Sequence, residues 1–303
     1  MDRLDRYRIF VQVAEMGSFI KAAHALDLPR ATVSAAVQQL EAQVGARLLH
    51  RTTRQVSLTV DGTQLLARAR ALLAEAEDME QMFQARVRQA VGQLRIDVPS
   101  RIARRLLAPA LPGLLRSHPA LRLVLGSSDR TVDLVQEGVD CVVRIGALQD
   151  SSLVVRPLGR IALINCASPA YLREHGHPEQ PADLAQGHWA VGYASPHTGR
   201  ELPWSYVEGG GEEEQALALP SRVVVNNAES YIACCEAGLG LIQIPRYDVQ
   251  HLLVAGSLVE VMPSYRAASM PVGLLYSHRR QRSRRLAVFI EWFEALMQPY
   301  LES

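Results

Sequence analysis

RATVSAAVQQLE, residues 30–41, reads as a short helix with one apolar stripe and an unusual opposite side. Val33, Val37 and Leu40 share one face at helical spacing. The other face carries Ala31, Ser34, Ala35 and Gln38, without Lys or Glu, and the single acid, Glu41, comes at the far end. Upstream, Ser18 precedes FIKAAHAL, whose Phe19, Ala22, Ala23 and Leu26 share a face, and Asp27-Leu28-Pro29 turns the chain into residue 30. Two short helices, each with one apolar face, joined by a tight turn form either a plain helical hairpin or a helix-turn-helix, whose second helix enters the major groove.

The following stretch, LEAQVGARLLHRTTRQVSLTVDG, adds a second signal. Gly45 stops the helix, and Leu48 and Leu49 supply apolar contacts back to it. Arg51, Thr52, Thr53 and Arg54 then stand together before a short strand, Val56 to Leu58, as in a wing. Arginines and hydroxyls clustered on a loop suit phosphate and minor-groove contact.

Charge is distributed unevenly along the 303 residues. The formal net charge is only +1, yet residues 1–70 hold ten basic against six acidic side chains, so the remainder is slightly acidic. At 48% hydrophobic the chain has ordinary globular composition and enough length for two or three compact units. No apolar run is long enough to span a bilayer, and MDRLDRYRIF lacks the apolar core of a secretory signal, so a cytoplasmic protein is expected. Cys141, Cys166, Cys234 and Cys235 lack metal-ligand spacing and sit in apolar sequence, which favours buried thiols over a redox switch.

Between about 59 and 90 the sequence has no Pro, and its single Gly, Gly62, is near the start. Leu65, Leu66, Ala69, Leu72, Leu73, Ala76, Met79 and Phe83 recur at three and four, which predicts one long amphipathic helix whose narrow stripe needs a partner. Beyond Gly92, strand and helix patterns alternate: strands at 94–98, 121–127 and 140–146, with helices at 101–117 and 131–137. A second set follows: strands at 160–166, 222–226 and 239–245, with helices at 169–174 and 229–237. MPVGLLYS (270–277) is again a strand, and residues 284–301 close the chain as a helix. The alternation predicts two α/β lobes with a largely parallel sheet, the last segment returning to the first lobe.

From Ser18 to Gly62, the run S-F-x-x-A-A-x-x-L followed by T-V-S-x-x-V-x-x-L-E-x-x-V-G-x-x-L-L-x-R-T-T-R-x-V-x-L-T-x-x-G resembles the winged helix-turn-helix of the LysR-type transcriptional regulators. CASPAYL (166–172) is similar to a segment common in one large subgroup of that family. Leu49, where the family usually has Phe, and Pro29, where Ser or Thr often caps the recognition helix, depart from the pattern.

The resemblance implies a winged helix-turn-helix domain (1–60), a linker and dimerisation helix (61–90), and a two-lobe effector domain (91–303) like a periplasmic binding protein. Lobe I would comprise about 91–160 and 267–303, and lobe II about 161–266. It further implies a homodimer or homotetramer held by the 61–90 helix and the C-terminal domain, with promoter DNA, a small-molecule effector and RNA polymerase as partners.

In that setting Arg30 can reach a guanine edge or a phosphate. Thr32, Ser34 and Gln38 can bond to base edges, and Ala31 and Ala35 can meet thymine methyls. Arg51, Thr52 and Arg54 would hold the DNA backbone from the wing.

In α/β lobes, ligands gather beyond the carboxyl ends of strands. There stand Ser100 and Arg101, Ser127 and Ser128, and Asn226 and Asn227, each also a common helix-cap or turn residue. An anion held by Ser100, Ser128 and Asn226 is the sharpest expectation. Arg144 either lines the pocket or pairs with an acid, and for Trp204 and Tyr206 core packing is favoured over a place in the wall of the second lobe.

Phosphate loops, dinucleotide fingerprints and nucleophile elbows are absent from the sequence, which argues against an enzyme or a cofactor. His175-Gly176-His177 has no ligand partner at metal spacing, and GGGEEE (209–214) reads as an exposed loop. The competing reading is a two-lobe solute-binding protein or enzyme whose N-terminal unit serves only assembly.

Overall fold

The computed structural model describes residues 1–51, 56–82, 90–127, 133–146, 153–195, 198–208, 213–277 and 283–302. Helices α1 (Arg3–Met16), α2 (Phe19–Ala25) and α3 (Arg30–Val44) enclose one small core. Phe10, Val13, Ala22, Val33, Val37 and Leu40 are buried there, the last three being the stripe read from the sequence. Asp2 and Asp5 cap α1 reciprocally: Asp5 N donates to Asp2 Oδ1 at 2.7 Å and Asp2 N to Asp5 Oδ2 at 3.0 Å.

Strands β1 (Leu49–Arg51) and β2 (Val56–Leu58) pair antiparallel as the wing. The long helix α4 (Val60–Met82) follows, with Leu66, Ala69 and Leu73 buried and Leu72 and Met79 exposed. Phe83 lies outside the described residues.

The next units are β3 (Gly92–Val98), α5 (Ser100–Ile102), a π-helical turn at Ala103–Leu107, α6 (Ala108–Ser117), β4 (Leu121–Ser127), α7 (Leu134–Glu137), β5 (Cys141–Ile145) and β6 (Val154–Ile161). With β14 they form a five-stranded sheet in the order β4-β3-β5-β14-β6, β14 being Met270–Tyr276. Strand β3 runs parallel to β4 and β5, whereas β14 is antiparallel to both β5 and β6. The sheet is therefore mixed and not largely parallel, because β14 re-enters from the second lobe. Leu94, Ile96 and Val98 bury one face of β3 in a core shared with Ile102, Leu107, and Phe289 and Phe293 of the closing helix, Arg284–Met297.

RIALINC is two strands. Ile161 ends β6 in the first sheet, and Leu163 starts β7 (Leu163–Ala167) in the second. Lobe II holds α8 (Pro169–His175), β8 (Ala190–Tyr193), β9 (Trp204–Val207), β10 (Glu214–Leu217), β11 (Ser221–Val225), α9 (Ala228–Glu236), β12 (Ile242–Pro245), α10 (Arg246–Ala255) and β13 (Val259–Val261). The closing helix Arg284–Met297 is α11. Antiparallel β12-β7-β13 forms one sheet, and β11 pairs parallel with β8. Glu214 belongs to β10 and not to a loop; residues 209–212 lie outside the described residues. No helix among the described residues is long and apolar enough to cross a membrane.

Candidate nucleic-acid interface and interlobe cleft

The α2–α3 turn is set by backbone chemistry. Asp27 adopts φ +52°, its N–H donating to the His24 carbonyl at 3.3 Å while Leu28 N donates to the Ala23 carbonyl at 3.0 Å. These two bonds form a Schellman stop, after which Pro29, in extended conformation, starts α3 without a side-chain cap. On α3 the core side chains turn inward, leaving Arg30, Ala31, Ala35 and Gln38 exposed and Thr32 and Ser34 half-buried. Ala42, Gln39 and Gln43 are exposed as well, and the sequence reading passed over them. Ala42 continues the outward row of Ala31, Ala35 and Gln38 by one turn. The small side of α3 is thus longer than expected.

Glu41 does not face outward as a plain helix-end acid. Its Oε1 accepts from Leu48 N at 2.9 Å and Leu49 N at 3.2 Å, which ties the wing to α3. Beneath the wing, Thr59 Oγ1 donates to the Arg47 carbonyl at 2.7 Å and accepts from Gly62 N at 2.9 Å. Of the expected wing contacts, Thr52 and Arg54 lie outside the described residues, and Arg51 is placed only as the last residue of β1. His50 and Ser57, paired across the wing, are both exposed.

Between the lobes, α5, which follows β3, meets α9, which follows β11, through Arg101 and Glu229. Ser100 is half-buried in the first turn of α5, Ser127 is exposed at the end of β4, and Asn226 is exposed after β11. Asn227 caps α9, its Oδ1 accepting from Ser230 N at 2.9 Å, and its Nδ2 donates to Asn226 Oδ1 at 3.3 Å. Arg144 is half-buried on β5, opposite Gly273. Ser128 lies outside the described residues.

Two expected cleft residues have other surroundings. Arg101 is 3% exposed and spans the lobe junction: its Nη1 lies 2.8 Å from Glu229 Oε1, and its Nε donates to Asp248 Oδ1 at 3.0 Å. Two neighbouring carboxylates engage this guanidinium. Arg104 reaches the same Glu229 oxygen at 2.9 Å, and Arg105 Nη2 lies 2.7 Å from His251 Nε2. Trp204 is 5% exposed in the lobe II core with Tyr171, Leu184, Leu241 and Met262, so it is a core side chain rather than a cleft wall. Tyr206 is half-buried, its hydroxyl donating to Gln215 Oε1 at 2.8 Å.

Among the described residues no group of His, Cys, Asp and Glu could hold a metal ion. His175 instead stacks on Tyr171, ring centroids 4.5 Å apart. Cys141, Cys166 and Cys235 are buried, and burial raises all three thiols above their ordinary value.

Residues 4–63 match the family model of the bacterial regulatory helix-turn-helix protein, lysR family, and residues 88–298 match the LysR substrate binding domain. The HTH-type transcriptional regulator YhjC of Escherichia coli (strain K12) is 41% identical over 302 residues, covering 100% of each chain. The HTH-type transcriptional activator AaeR of the same strain is 32% identical over 96% of this chain and 92% of its own. Among solved structures, CrgA, a LysR-type transcriptional regulator from Neisseria meningitidis, superposes with a TM-score of 0.60 at 30% identity, covering 98% of both chains.

Proposed function

Because the chain belongs to the LysR family of DNA-binding transcriptional regulators, we propose that it reads its operator with the outward row of α3 and takes a small anionic metabolite between its lobes. The observation that carries the first part is the exposed, acid-free row of Ala31, Ala35, Gln38 and Ala42, with Glu41 turned to the backbone of the wing. Small side chains let the helix lie close to base edges, and an outward acid there would repel phosphate. Arg30 and Gln38 supply the polar contacts, Thr32 and Ser34 flank them, and Arg51, Thr52 and Arg54 hold the backbone from the wing.

The effector half rests on Ser100 and Asn226, at the mouths of two strand-to-helix turns that Arg101 and Glu229 hold within one side chain's reach. Ser127, Arg144 and Asn227 are the further residues assigned to the ligand in this reading, with Ser128, outside the described residues, added from the sequence alone. A ligand there changes DNA affinity only through unequal affinity for two arrangements of the chain.

The functional unit in this reading is a cytoplasmic homodimer or homotetramer. Leu72 and Met79 leave apolar surface exposed on α4, and β4 and β11 are each paired on one side only among the described residues. Both features suit a second copy, and two copies place two recognition helices on successive half-sites. RNA polymerase is the further partner of the promoter-bound form.

A gel shift with the promoter region of the adjacent gene tests the DNA half. Wild-type protein binds, and Arg30→Ala and Gln38→Ala each weaken binding by about 1–3 kcal/mol. No binding, or binding indifferent to both substitutions, overturns it. For the cleft, thermal-shift screening of the full chain against a metabolite panel identifies a stabilising anion. Ser100→Ala and Asn226→Ala then abolish that shift and leave DNA affinity intact; if they abolish DNA binding instead, the residues are structural.

A further inference from the structure

Glu15 stands in the last turn of α1, where the helix dipole disfavours an acid and where no basic residue accompanies it. Its Oε1 accepts from Arg70 Nε at 3.0 Å, lies 2.9 Å from Arg70 Nη2, and also accepts from Arg95 Nη2. The three side chains come from three units: the DNA-binding domain, the linker helix α4 and the interior strand β3 of the C-terminal domain. All are partly shielded, at 28%, 22% and 20% exposure for Glu15, Arg70 and Arg95. One carboxylate thus holds two guanidiniums that repel each other without it.

Arg95 is fixed from behind. Its N–H donates to Asp140 Oδ2 at 2.8 Å and its carbonyl accepts from Asp140 N at 2.8 Å, at the entrance to β5. Arg70 lies against Gly138, in the turn just before. A second contact from the C-terminal domain, Arg285 Nη2 to the Ala74 carbonyl at 3.2 Å, holds α4 one turn further on. At its other end β3 runs directly into Ser100 and Arg101, at the lobe junction. Because β3 is hydrogen-bonded to β4 on one side and β5 on the other, a shift of α5 against lobe II is passed on by a rigid strand.

We propose that Glu15 is the coupling residue of this regulator: through Arg95 and Arg70 it fixes the DNA-binding domain against the C-terminal domain, so that movement at the lobe junction reaches α1 through β3. The inference rests on the reading that events in the cleft modulate DNA binding. Coupling of this kind is an equilibrium between two arrangements that both sites bias.

The test uses the full-length protein without any effector and reads backbone hydrogen exchange in the last turn of α1 and in α4 around Arg70. Glu15→Gln raises exchange there about fivefold, and Arg95→Gln does the same from the other domain. The exchanged pair Glu15→Arg with Arg95→Glu, which keeps a carboxylate beside Arg70, returns exchange to within about twofold of wild type. Exchange unchanged in both single variants, or not restored by the swap, overturns the proposal. Should Glu15→Gln lose its helical circular dichroism, Arg95→Gln carries the same readout from a strand outside the DNA-binding core. A gel shift of the wild type with and without an anion that raises its melting temperature reports separately on modulation of DNA binding from the cleft, so the two failures are distinguishable.

Discussion

Arg101 donates from Nε to the Asp248 carboxylate at 3.0 Å and from Nη2 to the Asp248 backbone carbonyl at 2.6 Å, joining the first helix of one lobe to α10 of the other. Both side chains are almost fully buried. A buried pair contributes little relative to an apolar replacement of both partners, but removing one partner strands the other charge. Arg101→Met is therefore expected to destabilise the chain by about 3 kcal/mol. Asp248→Asn should cost less after Arg101→Met than alone, because both changes break one interaction. Urea unfolding of the two single variants and the double variant checks this; additive losses would show that the pair does not act as a unit.

The same junction has an acid limb. Burial alone would raise the Glu229 carboxyl, but hydrogen bonds and charge from Arg101 and Arg104 outweigh it and hold it below the ordinary carboxylate value. A carboxyl depressed in the folded state contributes stability above its unfolded value and loses it as pH falls through the folded one. Glu229 is 44% exposed, so solvent screening keeps the contribution small. Thermal melts of wild type and Glu229→Gln should differ at neutral pH and converge on acidification below the carboxylate range. A constant gap would show that the charge of Glu229 is not what matters.

Asp27 is one of only two non-glycine residues with positive φ among those described, and it sits in the turn that orients α3. Its short polar side chain tolerates the left-handed region, but glycine does so with less strain. Asp27→Gly should be neutral to mildly stabilising. Asp27→Val should lower stability by about 1–2 kcal/mol and weaken DNA binding, because the β-branched residue disfavours the turn. Melting temperature and gel shift on the same samples check both; a stable, fully binding Asp27→Val would show that the turn has slack.

What the sequence made legible was local. The helix pair, the wing and α4 follow from spacings within a few residues, where Ser18, Gly45 and the Val33-Val37-Leu40 stripe carry their own instructions. The alternation of strands and helices likewise exposed the α/β lobes. The partners of Arg101 were not legible because they lie 128 and 147 positions away, on elements that no periodicity relates to it. β14 was seen as a strand, but its direction depends on where the chain re-enters from lobe II. The breaks at Ala162 and in β6, which contains Pro157 and Gly159, hid one strand behind weak strand formers. Glu41 and Glu15 read as ordinary surface acids because only the fold brings their donors to them.

Gly62 is a sharp test of how the wing sits on the linker. A Cβ there would lie 1.9 Å from the Leu48 carbonyl oxygen, which is backbone and cannot swing aside. Gly62→Ala should force β1 away from α4 and cost about 3 kcal/mol or more, seen as loss of soluble protein or a large fall in melting temperature. The C-terminal domain has its own core around Phe289 and Phe293, so effector-type thermal shifts should survive in any soluble fraction. Near-native stability of Gly62→Ala would mean that the close approach relaxes without penalty.

Burial, with the Glu260 charge second, pushes the Cys166 thiol up to about 12, and burial followed by Asp140 raises Cys141 further. Cys235 rises for the same reason, and its Sγ donates to the Cys166 carbonyl at 3.6 Å. Since the thiolate is the reactive species, none of these three should react while the chain is folded. Cys234, only half-buried, is the one side chain of the four that a reagent can reach. Iodoacetamide at mildly alkaline pH should therefore label native protein at Cys234 alone, and all four cysteines after unfolding. DNA binding should be unaffected by brief peroxide treatment of a Cys234→Ser variant, because oxidation needs the same exposed thiolate. Rapid native labelling of Cys141, Cys166 or Cys235, by mass spectrometry of the digested protein, would show that the core opens often enough for a redox response.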